Sequence, residues 1–272
     1  MNPLLRALDR TAAWFNELPL WKGTCRVWGQ RMVSPSFERW LYLRLHQRGL
    51  MGKAERTFLE SHVRPGMRVL DVGANLGLYS VLIARQAGPT GKVICFEPDP
   101  QLCAALQENC RLNAVTADAR NLALGSSPGA LALHKSVINS GDNHLGKAEG
   151  ALFRRSVMIE VVRLDDLLPA LEVDLVKIDV QGWELEAFRG MRQTLLANTG
   201  VQVYFEFSPE GYTRAGSTYG ELIAFLRGVG LRILDPRDGR ELDDSALARL
   251  AHTLGPRGYT NLLAVRHGPV AP

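Results

Sequence analysis

The chain has 272 residues, of which 46% are hydrophobic, so it can bury a substantial core without disulfide or metal support. Its net charge of +4 falls short of the dense Lys/Arg footprint of a dedicated nucleic-acid binder. The four cysteines form no C-x-x-C pair, which argues against a zinc site or a disulfide framework and favours a cytoplasmic location.

Residues 1–54 are expected to form a helical extension. Apolar residues recur there at helical intervals, as in Phe37, Trp40, Leu41 and Leu45, and Pro and Gly residues divide the segment into short helices. The segment is basic, and no apolar run in the chain reaches the roughly 20 residues needed to cross a bilayer. We expect a soluble protein with a helical cap; a basic surface for a membrane or an acidic acceptor is the alternative.

Residues 55–272 alternate short β-rich runs with helical segments, which predicts an α/β domain. The expected core is a mostly parallel seven-stranded sheet with helices on both faces. Its predicted strands are 68–72, 92–97, 119–122, 175–179, 201–207, 231–234 and 261–266. Between the third and fourth strands, β-rich runs at 130–137 and 156–162 flank a polar loop at 139–150, which predicts a β insertion.

A glycine turn follows the first predicted strand, where residues 71–80 read D-V-G-A-N-L-G-L-Y-S. Ligands of open α/β sheets bind outside the carboxyl ends of the strands, and glycine lets the backbone approach a ligand closely. A dinucleotide fingerprint would need glycine at Asn75, and Asp71 places an acid beside the turn. S-adenosylmethionine, which has no phosphate and carries a cationic sulfonium and ammonium, suits this turn better. An NAD-dependent oxidoreductase and simple strand-to-helix packing are the alternatives.

The second predicted strand ends in Glu97, followed by Pro98 and Asp99 at the start of a helix. An ionised carboxylate accepts hydrogen bonds through both oxygens, which matches two neighbouring hydroxyls. Glu97 is therefore the predicted partner of the ribose 2′ and 3′ hydroxyls of the cofactor.

These motifs resemble the signature of FkbM-family methyltransferases. Further segments that resemble this family are F-E-P at 96–98, N-L-A-L-G at 121–125, V-R-L-D at 162–165 and V-K-I-D-V-Q-G-W-E at 176–184. The resemblance covers roughly residues 55–266. It implies a class I, Rossmann-like methyltransferase that uses S-adenosylmethionine to methylate a hydroxyl of a small metabolite, sugar or glycan. Gln181 departs from the family pattern, which usually has an acid at that position. The predicted cofactor contacts are Asp71, Gly73, Asn75, Gly77, Ser80, Glu97, Pro98 and Asn121.

Three side chains are candidates for catalysis. Methyl transfer is an in-line displacement, so alignment of donor and acceptor supplies much of the rate, and a base adds about 10²–10⁴-fold for an alcohol acceptor. Asp179, at the end of the fourth predicted strand, is the first candidate for a base or an orienting group, and Glu206 on the fifth strand is the second. His144, in the polar loop, is the third. A structural alternative is that Asp179 orders the turn at Gly182.

Two other functions remain open at the level of sequence. The basic amino-terminal segment is compatible with a nucleic-acid methyltransferase, although no Asn/Asp-Pro-Pro-aromatic segment follows the fourth strand. A non-catalytic interaction protein could retain the same fold. No metal is expected, although Asp165, Asp179 and Glu206 are acids that could converge.

Overall fold

The computed structural model describes residues 22–136, 144–145, 154–256 and 258–266, with isolated positions at 11, 18 and 20. In these parts of the chain the strands are β1 (Gly23–Val27), β2 (Gln30–Ser34), β3 (Arg68–Val72), β4 (Lys92–Phe96), β5 (Asp118–Arg120), β6 (Ala123–Leu124), β7 (Gly129–Ser136), β8 (His144–Leu145), β9 (Arg154–Val162), β10 (Leu175–Ile178), β11 (Gln202–Phe207), β12 (Arg232–Leu234) and β13 (Thr260–Val265). The helices are α1 (Phe37–Gln47), α2 (Lys53–His62), α3 (Leu78–Ala87), α4 (Pro100–Leu112), α5 (Leu164–Leu167), α6 (Glu184–Gly190), α7 (Arg192–Ala197), α8 (Pro209–Arg214), α9 (Tyr219–Gly228) and α10 (Asp244–Leu254).

A seven-stranded sheet in the order β5-β4-β3-β10-β11-β13-β12 forms the centre of the molecule. The five strands from β5 to β11 pair in parallel, and β13 runs antiparallel between β11 and β12. The predicted α/β architecture, a mostly parallel seven-stranded sheet, is confirmed. In chain order the strands of this sheet are arranged 3-2-1-4-5-7-6, so β3 and β10 lie at its centre.

Helices cover both faces of this sheet. Side chains alternate along its strands, so each strand presents apolar side chains to both faces, where the helices bury them. On β3, Leu70 and Val72 enter one hydrophobic cluster, which also includes residues of α6 and α9. Val69 enters a second cluster with residues of α2 and α3. The central strands are therefore buried on both sides, and their carboxyl ends are the part of the sheet that can be open to ligands.

The segment at 23–34 forms an antiparallel hairpin, which corrects the prediction that the extension is helical throughout. Its two-residue turn places Trp28 at φ 51° and Gly29 at φ 78°, as in the tight turns that suit the twist of a hairpin. Val27 and Met32 are fully buried with α1 and the start of α3. Gln30 and Ser34 are polar residues on the buried face of β2, so this strand lacks the alternation of apolar and polar residues that predicts a strand. The sequence pattern of the segment therefore favours helices.

The β insertion lies between the third and fourth strands of the large sheet, as predicted. It forms a second sheet in the order β6-β9-β7-β8, in which β7 and β9 pair in an antiparallel ladder. The short strand β8 was not predicted. His144 of β8 pairs with His134 of β7 through the backbone, but the side chain of His144 lies outside the described residues.

No helix in the described parts of the chain is both long and apolar enough to span a membrane. The cytoplasmic location and the division between an extension at 1–54 and a domain at 55–272 stay predictions.

Candidate active site

The glycine turn joins β3 to α3 and contains three residues with left-handed backbone. These are Gly73 at φ 79°, Asn75 at φ 56° and Gly77 at φ 83°. A Cβ atom on Gly73 would lie 1.9 Å from the Asp179 carbonyl oxygen, so only glycine fits between the turn and the end of β10. The two strand ends therefore touch at Gly73.

The N–H groups of this turn are all used within the chain. Those of Gly73 and Ala74 donate to the Phe96 carbonyl at 2.9 and 3.0 Å, and that of Gly77 donates to Ala74 at 2.9 Å. The Asn75 N–H donates to Glu97 Oε2 at 2.8 Å, and the Leu76 N–H donates to Asn75 Oδ1 at 2.7 Å. A pyrophosphate would need such donors free at the start of the helix. This arrangement disfavours a dinucleotide.

Glu97 lies directly after β4 and is 6% exposed. Besides the bond from Asn75, its Oε1 atom accepts the Asp99 N–H at 2.9 Å. Burial raises the pKa of Glu97 to about 7, although the N–H groups of Asp99 and Asn75 partly oppose this. The Asn121 amide fixes the strand end by donating to the carbonyls of Glu97 and Pro98 at 2.9 and 2.8 Å. A carboxylate has more acceptor positions than these two backbone bonds use.

Asp71 and Ser80 lie beneath the turn and contact each other. Asp71 is fully buried, and its Oδ2 atom accepts the Ser80 hydroxyl at 2.6 Å. Its Oδ1 atom forms a buried salt bridge with Lys177 Nζ at 3.1 Å. Burial disfavours the Lys177 charge, but the carboxylates of Asp71 and Asp179 outweigh it and raise the pKa of Lys177. This network ties β3 to α3 and β10.

Asp179, Glu184 and Glu206 form a cluster of acids at the ends of β10, α6 and β11. One carboxylate oxygen from each lies within 4.8 Å of the others, which is a spacing that could hold a metal ion. Gln181 Nε2 donates to Asp179 Oδ1 at 2.8 Å and lies 3.4 Å from Glu206 Oε2. Glu184 Oε1 accepts the Val180 N–H at 2.9 Å.

Burial sets the protonation of this acid cluster. Glu184 is fully buried and Glu206 is 5% exposed, whereas Asp179 is half-buried. Burial raises the pKa of Glu184 to about 8. Burial, with the charges of Asp179 and Glu184, raises the pKa of Glu206 well above its ordinary value. Near neutral pH Glu184 therefore holds a proton, burial disfavours the charged form of Glu206, and Asp179 is the most accessible of the three acids.

Sequence reasoning brought Asp179 and Glu206 together correctly but missed Glu184. As an acid in the first turn of α6, Glu184 resembles an ordinary residue that complements the helix dipole, so its local sequence carries no separate signal. The suggested convergence of Asp165 with Asp179 and Glu206 is wrong. Asp165 instead accepts hydrogen bonds from the N–H groups of Gln193 and Thr194 at 2.8 and 2.9 Å, at the start of α7.

Aromatic residues of the amino-terminal segment lie beside the same strand ends. His46 of α1 is buried; its Nδ1 atom lies 2.9 Å from the Tyr42 carbonyl and its Nε2 atom 3.3 Å from the Tyr79 hydroxyl. Lys177 Nζ lies 5.3 Å from the centre of the Tyr79 ring. The segment before β3 thus contributes to the wall of the site.

Residues 71–233, more than half of the chain, match the family model described as the methyltransferase FkbM domain. The chain belongs to the FkbM methyltransferase family. The matched residues include both the glycine turn and the acid cluster.

Three FkbM-related proteins illustrate the similarity. The hexuronic acid methyltransferase AglP of Haloferax volcanii is 32% identical over 128 residues, 46% of this chain and 50% of that protein. The 2-O-methyltransferase NoeI of Sinorhizobium fredii is 29% identical over 177 residues, 58% of this chain and 70% of that protein. The 31-O-demethyl-FK506 methyltransferase FkbM of Streptomyces tacrolimicus is 26% identical and covers 72% of this chain and 87% of that protein. The chain thus spans only half the length of the Haloferax relative.

The residues of this FkbM site fit S-adenosylmethionine. The turn offers no free N–H for a phosphate, and the neighbouring strand end supplies a buried carboxylate, Glu97, that can accept hydroxyl groups. A cationic ligand without phosphate is compatible with this donor set.

Proposed function

We propose that this protein is an O-methyltransferase that acts on a hydroxyl of a small metabolite, sugar or glycan. The observation that carries the proposal is the order of groups along the sheet edge. Glu97 follows β4, the glycine turn follows β3, Asp179 follows β10, and Glu206 lies near the end of β11. Adjacent strands lie about 4.8 Å apart, so a site for the cofactor sugar and a site for an acceptor stand side by side.

The cofactor half of the site is assigned as follows. Glu97 accepts the two ribose hydroxyls, while Gly73, Asn75 and Gly77 give the amino-acid half of S-adenosylmethionine room above the turn. The remaining predicted contacts act by positioning: Asp71 with Ser80 supports the turn from below, and Asn121 fixes the backbone at Glu97 and Pro98.

In the acceptor half, Asp179 orients the acceptor hydroxyl and takes its proton. Asp179 is the most accessible acid of the cluster, and the Gln181 amide fixes its carboxylate. Glu206 is the second candidate, although burial disfavours its charged form and raises its pKa. S-adenosylmethionine supplies a methyl group on a positively charged sulfur, so the protein's part is to align the hydroxyl and remove its proton. His144 stays a predicted base with no described side-chain contact.

The printed names of the relatives support a hydroxyl acceptor. They include a hexuronic acid methyltransferase, a 2-O-methyltransferase and an enzyme named for a 31-O-demethyl substrate. None of these three names refers to a nucleic acid.

Incubation of the full chain with methyl-labelled S-adenosylmethionine tests this proposal. The label should enter a metabolite or glycan of an extract, and mass spectrometry should place it on oxygen. A parallel reaction with total RNA should stay unlabelled, and the D179N variant should give much less product. Label in RNA, or no label in any fraction although the cofactor binds, would contradict the proposed function.

A further inference from the structure

Arg39 is a buried cation whose guanidinium has no hydrogen bond or salt bridge to the described residues. Arg39 is 3% exposed, and its Nη1 atom is buried and has no hydrogen-bond partner among the described residues. Its guanidinium carbon lies 5.9 Å from the centre of the Tyr42 ring, a contact that replaces an anion only weakly. A buried charge without a counter-charge is strongly unfavourable, so this position favours a negatively charged ligand.

The position of Arg39 on α1 directs it toward the glycine turn. Leu43 follows Arg39 by four residues and is fully buried in a hydrophobic cluster with Leu76 and Leu78, which end the turn and begin α3. Residues four apart share one face of a helix, so Arg39 lies on the face that packs there. The charge of Arg39 also lowers the pKa of Glu97, against the larger effect of burial.

Asn109 holds the segment that precedes α1 against the same turn. Its side-chain Oδ1 atom accepts the Val33 N–H at 2.7 Å, and its Nδ2 atom donates to the Leu76 carbonyl at 2.6 Å. The hairpin that leads into α1 is thus fixed to the turn by one buried side chain. Arg39 is pre-positioned by this contact and by the packing of Leu43.

The chemistry of the cofactor selects the anion. The ribose hydroxyls are assigned to Glu97, and the ammonium group of the amino-acid half would be repelled by a guanidinium. A carboxylate matches the planar fork of arginine and can accept two of its N–H groups. We propose that Arg39 binds the carboxylate of S-adenosylmethionine. The inference rests on the proposed function, and it assigns a cofactor contact to a helix that lies before the family-matched residues 71–233.

Calorimetric titration of the full chain with two ligands tests this assignment. The ligands are S-adenosylmethionine and its decarboxylated analogue, which lacks only the carboxylate. The variants are R39M, R39K and, as a control on the same helix, R44M, since Arg44 is half-buried, donates to Gln47 and lies 5.4 Å from the centre of the Trp40 ring. R39M should bind S-adenosylmethionine about 10- to 100-fold more weakly, as expected for loss of a charged hydrogen-bonded pair. The affinity of R39M for the decarboxylated analogue should change by less than about threefold.

Partial recovery in R39K and wild-type affinities in R44M would support the assignment. An equal loss for both ligands in R39M would overturn it, because Arg39 would then only support the fold. Unchanged binding of both ligands would also overturn it, since the cofactor carboxylate would lie elsewhere. Failure of the wild-type chain to bind either ligand would instead contradict the proposed function, and the inference with it.

Discussion

The two halves of the candidate site satisfy their polar groups in different ways. In the cofactor half, Glu97 and the N–H groups of the glycine turn are held by backbone hydrogen bonds between neighbouring segments. In the acceptor half, Asp179, Glu184 and Glu206 come from separate elements and lie against one another, with the Gln181 amide between two of them.

This difference indicates which changes each half tolerates. The cofactor half is shaped by backbone geometry, so changes that alter φ or add a Cβ atom should damage it most. The acceptor half depends on where protons and charges lie among buried acids, so substitutions that keep shape but remove charge should alter turnover and pH dependence while the fold persists.

G73A should have the largest effect because Gly73 lies where the two halves touch. Its new Cβ atom would meet the Asp179 carbonyl at 1.9 Å, at a φ that side chains resist. Strain and overpacking together should lower the free energy of unfolding by about 3 kcal/mol. G216A is the matched control, since Gly216 also has positive φ, at the end of α8, but nothing lies within 4 Å of an added Cβ. Urea unfolding should show a loss of only about 1 kcal/mol for the control; equal losses would remove the special role of the contact.

D179N should impair the acceptor half of the site and leave the cofactor half unaffected. Turnover should fall by about 10²–10⁴-fold because the acceptor hydroxyl loses its base, while affinity for S-adenosylmethionine should stay nearly unchanged. Initial rates with the identified acceptor and calorimetry with the cofactor measure the two effects. E206Q provides the comparison within the cluster and should reduce turnover less. Wild-type turnover in D179N would give Asp179 a structural role only.

E97Q should weaken cofactor binding by about 10- to 100-fold at pH 8, since one charged hydrogen-bond acceptor is lost. The pKa of Glu97 is about 7 in the folded chain, so the ionised form that accepts both hydroxyls disappears as the pH falls through 7. The affinity of the wild type for S-adenosylmethionine should therefore decrease between pH 8 and pH 6, and the decrease should be smaller in E97Q. E108Q, at an exposed acid paired with Arg111, should behave like the wild type. A pH profile that is the same in E97Q and the wild type would place the ribose elsewhere.

E184Q should change the pH dependence of stability. The folded chain keeps a proton on Glu184 up to about pH 8, whereas an unfolded glutamate loses it near 4.5. The folded state therefore binds more protons between these values, and the free energy of unfolding falls as the pH rises through that range. Urea titrations at pH 5 and pH 8 should show a smaller fall in E184Q than in the wild type or in the exposed control E210Q. If the free energy of unfolding fell as much in E184Q as in the wild type, Glu184 would not be the group that holds the additional proton in the folded state.

The cofactor half could be predicted from sequence because its signals are local. The glycine turn, Glu97 and the strands that carry them occupy residues 68–97, where a buried run, two glycines and a terminal acid adjoin one another. The predicted β3 agrees with the structure at both ends. The parallel sheet and the β insertion followed from the same kind of local pattern.

The remaining features depend on contacts between distant residues. Glu184 lies near Glu206 only because α6 and β11 meet. The unpartnered Nη1 atom of Arg39 indicates a ligand site only once α1 is seen to pack near Leu76. The hairpin at 23–34 also escaped prediction, since its turn is Trp-Gly rather than a common Asn-Gly or Asp-Gly pair. Local periodicity does not encode such long-range packing.

A crystal structure of the full chain with S-adenosylhomocysteine would show whether the cofactor occupies the glycine turn and contacts Glu97. The ligand should lie over residues 73–77, with both ribose hydroxyls about 3 Å from the Glu97 carboxylate. A ligand bound away from this turn, or one whose ribose does not contact Glu97, would contradict this assignment.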